Sequence, residues 1–449
     1  MVVVFVLVAL LGLSALVAAN WLVWRRLFHD TTRGPGFMRR AGAVVICGGW
    51  ALTVGTFASV WTDAPFRIQE ILAWPGYLWL VLSVYLLLGV LAGEAVRPLL
   101  RRWFAQRAGA EKAVPAPKPV PTRVTPAVSP ITTSADVTAS PATSHTTSTS
   151  LVPMPDPQLG ARTAGPVEPS GSLAVPSRRL FVSRVVAGAA AAAAVGTVGY
   201  GTYGVLRGPN VKHVTVPVAK LPRAAHGYRI AVVSDIHLGP VLGRSFAQKV
   251  VDTINGTQPD LIALVGDLVD GSVPDLGPAV APLAELRARH GAFFVTGNHE
   301  YYSGAEQWVE EVHRLGLRPL ENARTELPHF DLAGVNDIEG ESDGQGPDFA
   351  RALGDRDRTR TCVLLAHQPV VIHDAVSHGV DLQLSGHTHG GQLWPANIFA
   401  NLMSPTVAGL ERYGDTQLYV SRGAGAAGPP TRVGAPSDIT VIELASRRA

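Results

Sequence analysis

The stretch LQLSGHTHGG, residues 382–391, closes a short apolar run with two histidines set among glycines. In an extended backbone, residues two apart point to the same side. His387 and His389 are therefore expected to present two imidazoles to one point in space. A tip of this composition buries almost nothing, so a surface turn with incidental histidines is the alternative reading. The rest of the chain decides between them.

Other runs share this form. YRIAVVSD (228–235) and LIALVGD (261–267) each end in an acid, while GAFFVTGNHE (291–300) and TCVLLAHQP (361–369) end in polar residues. Helical patterns lie between them, at 244–256, 279–289 and 304–315. Near-continuous apolar runs mark strands buried on both faces, and their alternation with helices predicts one α/β domain over about 210–446. In open α/β sheets, ligands gather at the carboxyl ends of the strands. Those ends carry Asp235 and His237, Asp267, Asn298 and His299, His367, and finally His387 and His389. Singly, an Asp after a strand caps a helix or forms a turn, and a lone His sits satisfied in a core. Successive strand ends that all bear metal-ligand residue types are not explained that way.

Carboxylate, imidazole and amide oxygen together suit Mn, Fe or Zn. Asp235, His237, Asp267, Asn298, His367, His387 and His389 are too many for one tetrahedral site. They fit two divalent ions that share a carboxylate. Paired ions roughly 3.5–4 Å apart clamp both the attacking and the leaving oxygen of a phosphoryl displacement. Two such ions and two aspartates leave a formal charge of about +2, which suits a hydroxide and an anionic phosphate. Gly266, Gly297 and Gly386 let the backbone turn tightly beside them.

Asp-x-His, Gly-Asp, Gly-Asn-His-Glu, a later His and Gly-His-Thr-His, in that order, resemble the calcineurin-like metallophosphoesterase superfamily. The resemblance covers about 225–446. GNHEYYSG, GHTHGGQLWP and YVSRGAG…PPTRVGAPSDITVIEL narrow it to the membrane-associated YkuE/YaeI-like subgroup. It implies an αββα sandwich with a dinuclear site. One ion would take Asp235, His237, Asp267 and His389, and the other Asp267, Asn298, His367 and His387, with Asp267 bridging. His299 would contact the phosphate and protonate the leaving oxygen. Asp270 reads as a solvated loop acid in preference to a partner of the site. Tyr301, Tyr302 and Arg422 are open between substrate contact and packing, and WPANIFANLMSP (394–405) is expected to pack in the core in preference to lining a substrate cleft or touching lipid.

The chain has 449 residues, more than one ordinary domain requires. Its net charge of +3 gives no basic field of the kind nucleic-acid binders show, and no nucleic-acid partner is expected. Cys47 and Cys362 make neither a disulfide framework nor a cysteine-based zinc site. Hydrophobicity is concentrated at the N-terminus. Residues 1–24, 41–62 and about 71–96 each read as a membrane span within a region 1–111. Arginines crowd the loop after the first span (Arg25, Arg26, Arg33, Arg39, Arg40) and the flank of the third (Arg97, Arg101, Arg102, Arg107). The positive-inside rule puts both on the cytoplasmic side. No basic stretch precedes the first apolar run, so a cleaved signal peptide is not expected there. Residues 112–176, rich in Pro, Thr, Ser and Ala, predict a disordered linker. Residues 177–206 open with Ser-Arg-Arg-Leu-Phe-Val and continue as an alanine-rich run, which reads as a twin-arginine signal or an ordinary signal-anchor. Either places the following domain outside the cytoplasm.

Together these features predict a membrane-anchored phosphodiesterase or pyrophosphatase that works through a hydroxide activated by two metals. A lipid- or cell-envelope-linked phosphate ester is an attractive substrate. The alternatives are a phosphomonoesterase, including a phosphoprotein phosphatase, and a metal-dependent ligand sensor without turnover. Oligomeric state is left open.

Overall fold

The computed structural model describes residues 2–112 and 178–447. The segment read as a linker lies outside the described residues, apart from Lys112. So does Ser177, the first residue of the Ser-Arg-Arg-Leu-Phe-Val stretch.

Helices α1 (Val2–Trp24), α2 (Phe37–Trp61), α3 (Phe66–Lys112) and α4 (Arg178–Leu206) precede the strands. Three stretches, Phe37–Trp61, Phe66–Leu100 and Arg179–Leu206, are long and apolar enough to cross a membrane. Helix α3 begins at Phe66, earlier than the apolar run that starts at Ile71, because Arg67 and Glu70 do not interrupt the helix. Pro75 lies inside α3 and costs it a backbone donor. Nearby carbonyls receive hydroxyls from α2 instead: Thr56 donates to Leu72 O at 2.8 Å and Thr53 to Gly76 O at 2.9 Å. The alanine-rich α4 packs closely on α3. A Cβ at Gly89 would lie 3.2 Å from both Cβ and O of Ala190, the small-on-small approach common between membrane helices.

The remaining strands are β1 (Asn210–Val218), β2 (Tyr228–Val233), β3 (Leu261–Val265), β4 (Ala292–Val295), β5 (Arg318–Pro319), β6 (Ala323–Glu326), β7 (Asp331–Gly334), β8 (Cys362–Leu365), β9 (Leu382–Ser385), β10 (Gly409–Tyr413), β11 (Thr416–Val420) and β12 (Asp438–Ser446). They form two six-stranded sheets, ordered β1-β12-β2-β3-β4-β5 and β10-β11-β9-β8-β7-β6. Within them β2 to β5 run parallel, as do β7, β8, β9 and β11.

The period-two alternation of strand side chains explains the continuous apolar runs. Ile230, Val232, Ala263, Val265 and Phe293 face Leu332, Val363, Leu365, Leu382 and Leu384 between the sheets. Ala231, Val233, Ile262, Leu264 and Phe294 point outward, onto α5 (Arg244–Gly256), α6 (Val273–Val280) and α8 (Ala305–Arg314). Ala333, Leu364, Leu418 and Val420 point outward from the second sheet, onto α9 (Phe349–Leu353) and α10 (Ile372–Ser377). The result is an αββα sandwich. Each fully buried large apolar side chain contributes roughly 1.5–3 kcal/mol. Tyr419 Oη and Thr440 Oγ1, 2.7 Å apart, link the sheets through the core.

Two local expectations change. The helix expected over 279–289 forms instead as α6, which gives way to a 3₁₀ turn at Ala281–Glu285. Pro278 and Pro282 remove donors that a continuous helix would need. An added helix, α7 (Asn298–Ser303), begins inside the GNHE motif, directly before α8.

Candidate metal centre

The sheets abut so that β2, β3 and β4 of one and β8 and β9 of the other deliver their carboxyl ends to the same place. Three groups of donors result among the described residues. Asp235, His237 and His389 form the first, Asp267, His367 and His387 the second, and His237, Asp270 and His299 a third that shares His237 with the first; within each, the ligand atoms lie within 4.8 Å of one another. Asn298, from the start of α7, joins the second group through Oδ1, 3.0 Å from His387 Nδ1. Asp267 Oδ2 lies between the first two groups, 3.1 Å from His367 Nε2 and 3.7 Å from His237 Nε2.

The pair His387 and His389 is not extended. Strand β9 stops at Ser385, and φ is 71° at His387 and 52° at His389. Pleat alternation therefore does not apply, and the two rings go to different groups. His387 Nδ1 faces His367 Nε2 at 3.3 Å, whereas His389 Nε2 faces His237 Nε2 at 3.0 Å and Asp235 Oδ1 at 3.2 Å. Asp235, His237 and Asp267 share the left-handed conformation, at 53°, 50° and 53°. Such positions cost non-glycine residues of order 1–3 kcal/mol each and cluster at functional sites. Gly386 has no room for a side chain: a Cβ there would overlap Ser234 Oγ and Asp235 Oδ2.

The donors are poised for cations. His367 donates Nδ1–H to Val265 O at 2.8 Å, and His237 gives Nδ1–H to Asp270 Oδ1 at 2.7 Å. Both Nε2 atoms then face inward, the ring orientation that outer partners impose on metal-binding histidines. Burial disfavours a charge on His237, yet Asp270, Asp267 and Asp235 outweigh it and raise the imidazole to about 9. Burial likewise opposes charge on His367, and Asp267 overcomes it, holding the ring well above its ordinary value. His389 is driven the other way, by burial and by the charges of His237 and Arg432. Arg432 Nη2 lies 2.9 Å from His389 Nδ1. His237 Nε2 and His389 Nε2 face each other at 3.0 Å, so only one of them can carry a proton there, although the carboxylates around His237 favour its charge. A cation between the two Nε2 atoms removes that conflict. The donor set therefore fits divalent ions.

Asp270 is not a solvated loop acid. Its Oδ1 also lies 2.8 Å from His299 Nδ1. Burial opposes its ionisation, but His237 and His299 dominate and bring its carboxyl to about 2. His299 is half-buried at the rim; burial lowers its basicity, and Asp270 reverses that and raises it. Two further residues carry the site without having been singled out in the sequence. Glu300 is fully buried and accepts from the backbone N–H groups of Asp267, Leu268 and Gly297. Arg432 also donates to the carbonyls of His389, Gly425 and Ala435, tying the last loop to the histidine turn. Glu300 is visible in the GNHE string, while nothing local marks Arg432. Among the residues left open, Tyr302 lines the cavity at the site, Tyr301 Oη donates to Gln345 O at 3.3 Å, and Arg422 packs beside Gly390 near Asp438. Residues 394–405 are not core: Trp394, Ile398, Phe399, Leu402 and Met403 are exposed.

Residues 228–391 match the calcineurin-like phosphoesterase family. An uncharacterized metallophosphoesterase of Aquifex aeolicus is 34% identical over 239 residues, covering 52% of this chain and 91% of that protein. The chain belongs to the calcineurin-like phosphoesterase family. YkuE of Bacillus subtilis, an uncharacterized metallophosphoesterase, is 31% identical over 290 residues, covering 60% of this chain and 98% of its own length. A transmembrane protein with metallophosphoesterase domain from Danio rerio is 39% identical over 259 residues, covering 55% of this chain. The chain spans only 59% of that relative's length.

Two consequences can be measured. Gly386→Ala forces a Cβ against Asp235, so purified protein should lose metal while keeping its fold; full metal content by elemental analysis would show that the loop gives way. Metal loading should also expel protons from His237 and His367, because only unprotonated imidazole binds. With the His237 value raised to about 9, apparent affinity should climb as pH rises toward 9 and level off above it. The metal-free fold shows the opposite trend: the stability contributed by charged His237 is full below the ordinary histidine value of about 6.5 and lost as pH passes 9. Metal titration in weak buffer with a pH indicator tests this, and loading without proton release contradicts it.

Proposed function

We propose that the protein is a membrane-anchored, metal-dependent phosphoesterase that hydrolyses a phosphodiester or pyrophosphate. The observation that carries this reading is the shared Asp267 carboxylate between two donor groups, with His299 beside them at the rim. Asp235, His237, Asp267 and His389 would hold one ion, and Asp267, Asn298, His367 and His387 the second. When bound, such ions polarise the phosphoryl group and lower the pKa of water. The chain's own contribution is orientation and proton supply. Asp270 fixes His299 Nδ1 and favours the imidazolium, leaving Nε2 to contact the phosphate and hand a proton to the leaving oxygen.

His299→Ala should keep both metals and lose rate by about 10²–10⁴-fold on alkyl esters, whose leaving oxygen needs a proton. Nitrophenyl esters should lose far less. The ratio of turnover on the two classes is the measurement, and equal losses would leave His299 only a positioning role. A sensor would bind without turning either class over.

We further propose that the catalytic domain lies outside the cytoplasm and that α4 remains as an anchor. Charged helix ends support this reading. Arg26 pairs with Asp30 and Glu94 at 2.6 and 2.5 Å, and Arg184 Nε donates to Thr31 O at 3.0 Å, gathering the arginine-rich flanks and the start of α4. The α2–α3 turn, poor in arginine, adjoins the catalytic domain. A surface-labelled tag after Ala449 should react in intact cells; labelling only after lysis reverses the topology. Changing Arg178 and Arg179 to Lys should block exposure if twin-arginine export operates, and leave it intact for an ordinary anchor.

A further inference from the structure

The cavity at the metal residues has a volume of 720 Å³ and walls from two distant parts of the chain. His237, Asp270, His299 and Tyr302 form the polar wall. Val60, Asp63, Ala64, Phe66 and Tyr77, at the facing ends of α2 and α3 and the turn between them, form the other. Phe66 also packs against the core beneath α5 and α6. The membrane helices thus complete the cavity as well as tethering it.

A second observation lies just past the histidine turn. Helix α11 (Ala396–Met403) leaves Ile398, Phe399, Leu402 and Met403 at 55%, 64%, 82% and 87% exposure. An apolar patch of this kind marks an interaction surface. Its partner is the bilayer, because it continues the membrane bundle: Tyr85 Oη of α3 donates to Trp394 O at 2.7 Å, and Leu393 packs among the helices. The turn of residues 62–65 joins two membrane-crossing helices and so lies at the bilayer face. That is where lipid headgroups sit.

We infer that the substrate is a lipid phosphoester whose chains stay in the bilayer while its headgroup phosphate enters this cavity. The inference rests on the phosphoesterase reading. Its basis is the match between an amphiphile and an amphiphilic cavity. The donor end suits a phosphate, and Val60, Phe66, Val241 and Leu242 suit the apolar acyl or isoprenoid chain that follows it. The reaction balances with water alone. Water oxygen forms a bond to phosphorus, the bond from phosphorus to the leaving oxygen breaks, and that oxygen keeps the electron pair and takes a proton.

The test uses the full chain, metal-loaded, in phosphatidylcholine vesicles. Separate samples carry labelled phosphatidic acid, phosphatidylglycerol or a polyprenyl diphosphate, which distinguish monoester, diester and pyrophosphate. Bis(p-nitrophenyl) phosphate is the soluble comparator. Wild type should release product from at least one lipid. Ala64→Trp narrows the cavity from the membrane side and Val60→Glu charges its lip; each should lower the ratio of lipid to soluble turnover by about tenfold or more. Val60 is exposed at the end of α2 and Ala64 is half-buried in the turn that follows, and metal content reports folding. Turnover of the soluble ester with no lipid hydrolysed, or equal losses on both substrates, overturns the inference and leaves the phosphoesterase reading standing. No turnover of any substrate by metal-replete wild type overturns both.

Discussion

One buried carboxylate holds the two halves of the centre in register. Glu300 Oε2 accepts from Asp267 N at 2.9 Å and Gly297 N at 2.7 Å, while Oε1 accepts from Leu268 N at 2.7 Å. These donors belong to the loops after β3 and β4, which otherwise leave their strands independently. Burial and the neighbouring Asp267 raise Glu300 to about 7, so the arrangement is held against a desolvation penalty. No other side chain serves three N–H donors in that space: an amide offers one oxygen, and its NH₂ would face an N–H. His299 N donates to Asp267 Oδ1 at 2.9 Å, so the proposed proton donor and the carboxylate proposed to bridge are positioned by the same turn.

The charge balance follows from the same packing. Asp267 is buried, yet His367, His237 and His299 hold it well below the usual carboxylate range. Asp270 is held at about 2 by two of those rings. Asp267 and Asp270 are therefore ionised throughout the neutral range, and the imidazoles around them are the groups that would trade protons for ions. Asp270 adds a negative charge that ligand counting omits. Arg432 offsets it: burial lowers the guanidinium to about 10, still far above neutral pH. The formal balance of two aspartates against two divalent ions thus survives the added neighbours.

What the sequence made legible was local. Each donor follows its own strand, so a run such as LIALVGD announces both the strand and the residue at its end. What stayed hidden depends on distant partners. Asp270 lies on a loop that looks solvated until His237 and His299 meet over it, and Arg432 reaches a histidine 43 positions away. The paired histidines were legible as a site but not as a geometry, because pleat alternation stops where β9 stops. Prolines account for the displaced helix at α6. Helix α3 begins before the apolar run that marks the expected span, since a helix tolerates Arg67 and Glu70 that a hydropathy window does not.

The membrane region is bound to the catalytic domain by contacts that a tether does not need. A flexible anchor only raises local concentration. Here Thr202 Oγ1 and Thr431 Oγ1 meet at 2.8 Å, Tyr85 reaches the Trp394 carbonyl, and Val433 joins Leu393 against the helices. The same short loop carries Thr431, Val433 and the guanidinium of Arg432, which bonds His389. The element that bonds His389 is thus clamped directly to α4, and the placement of the centre relative to the apolar helices is set by packing instead of by linker length.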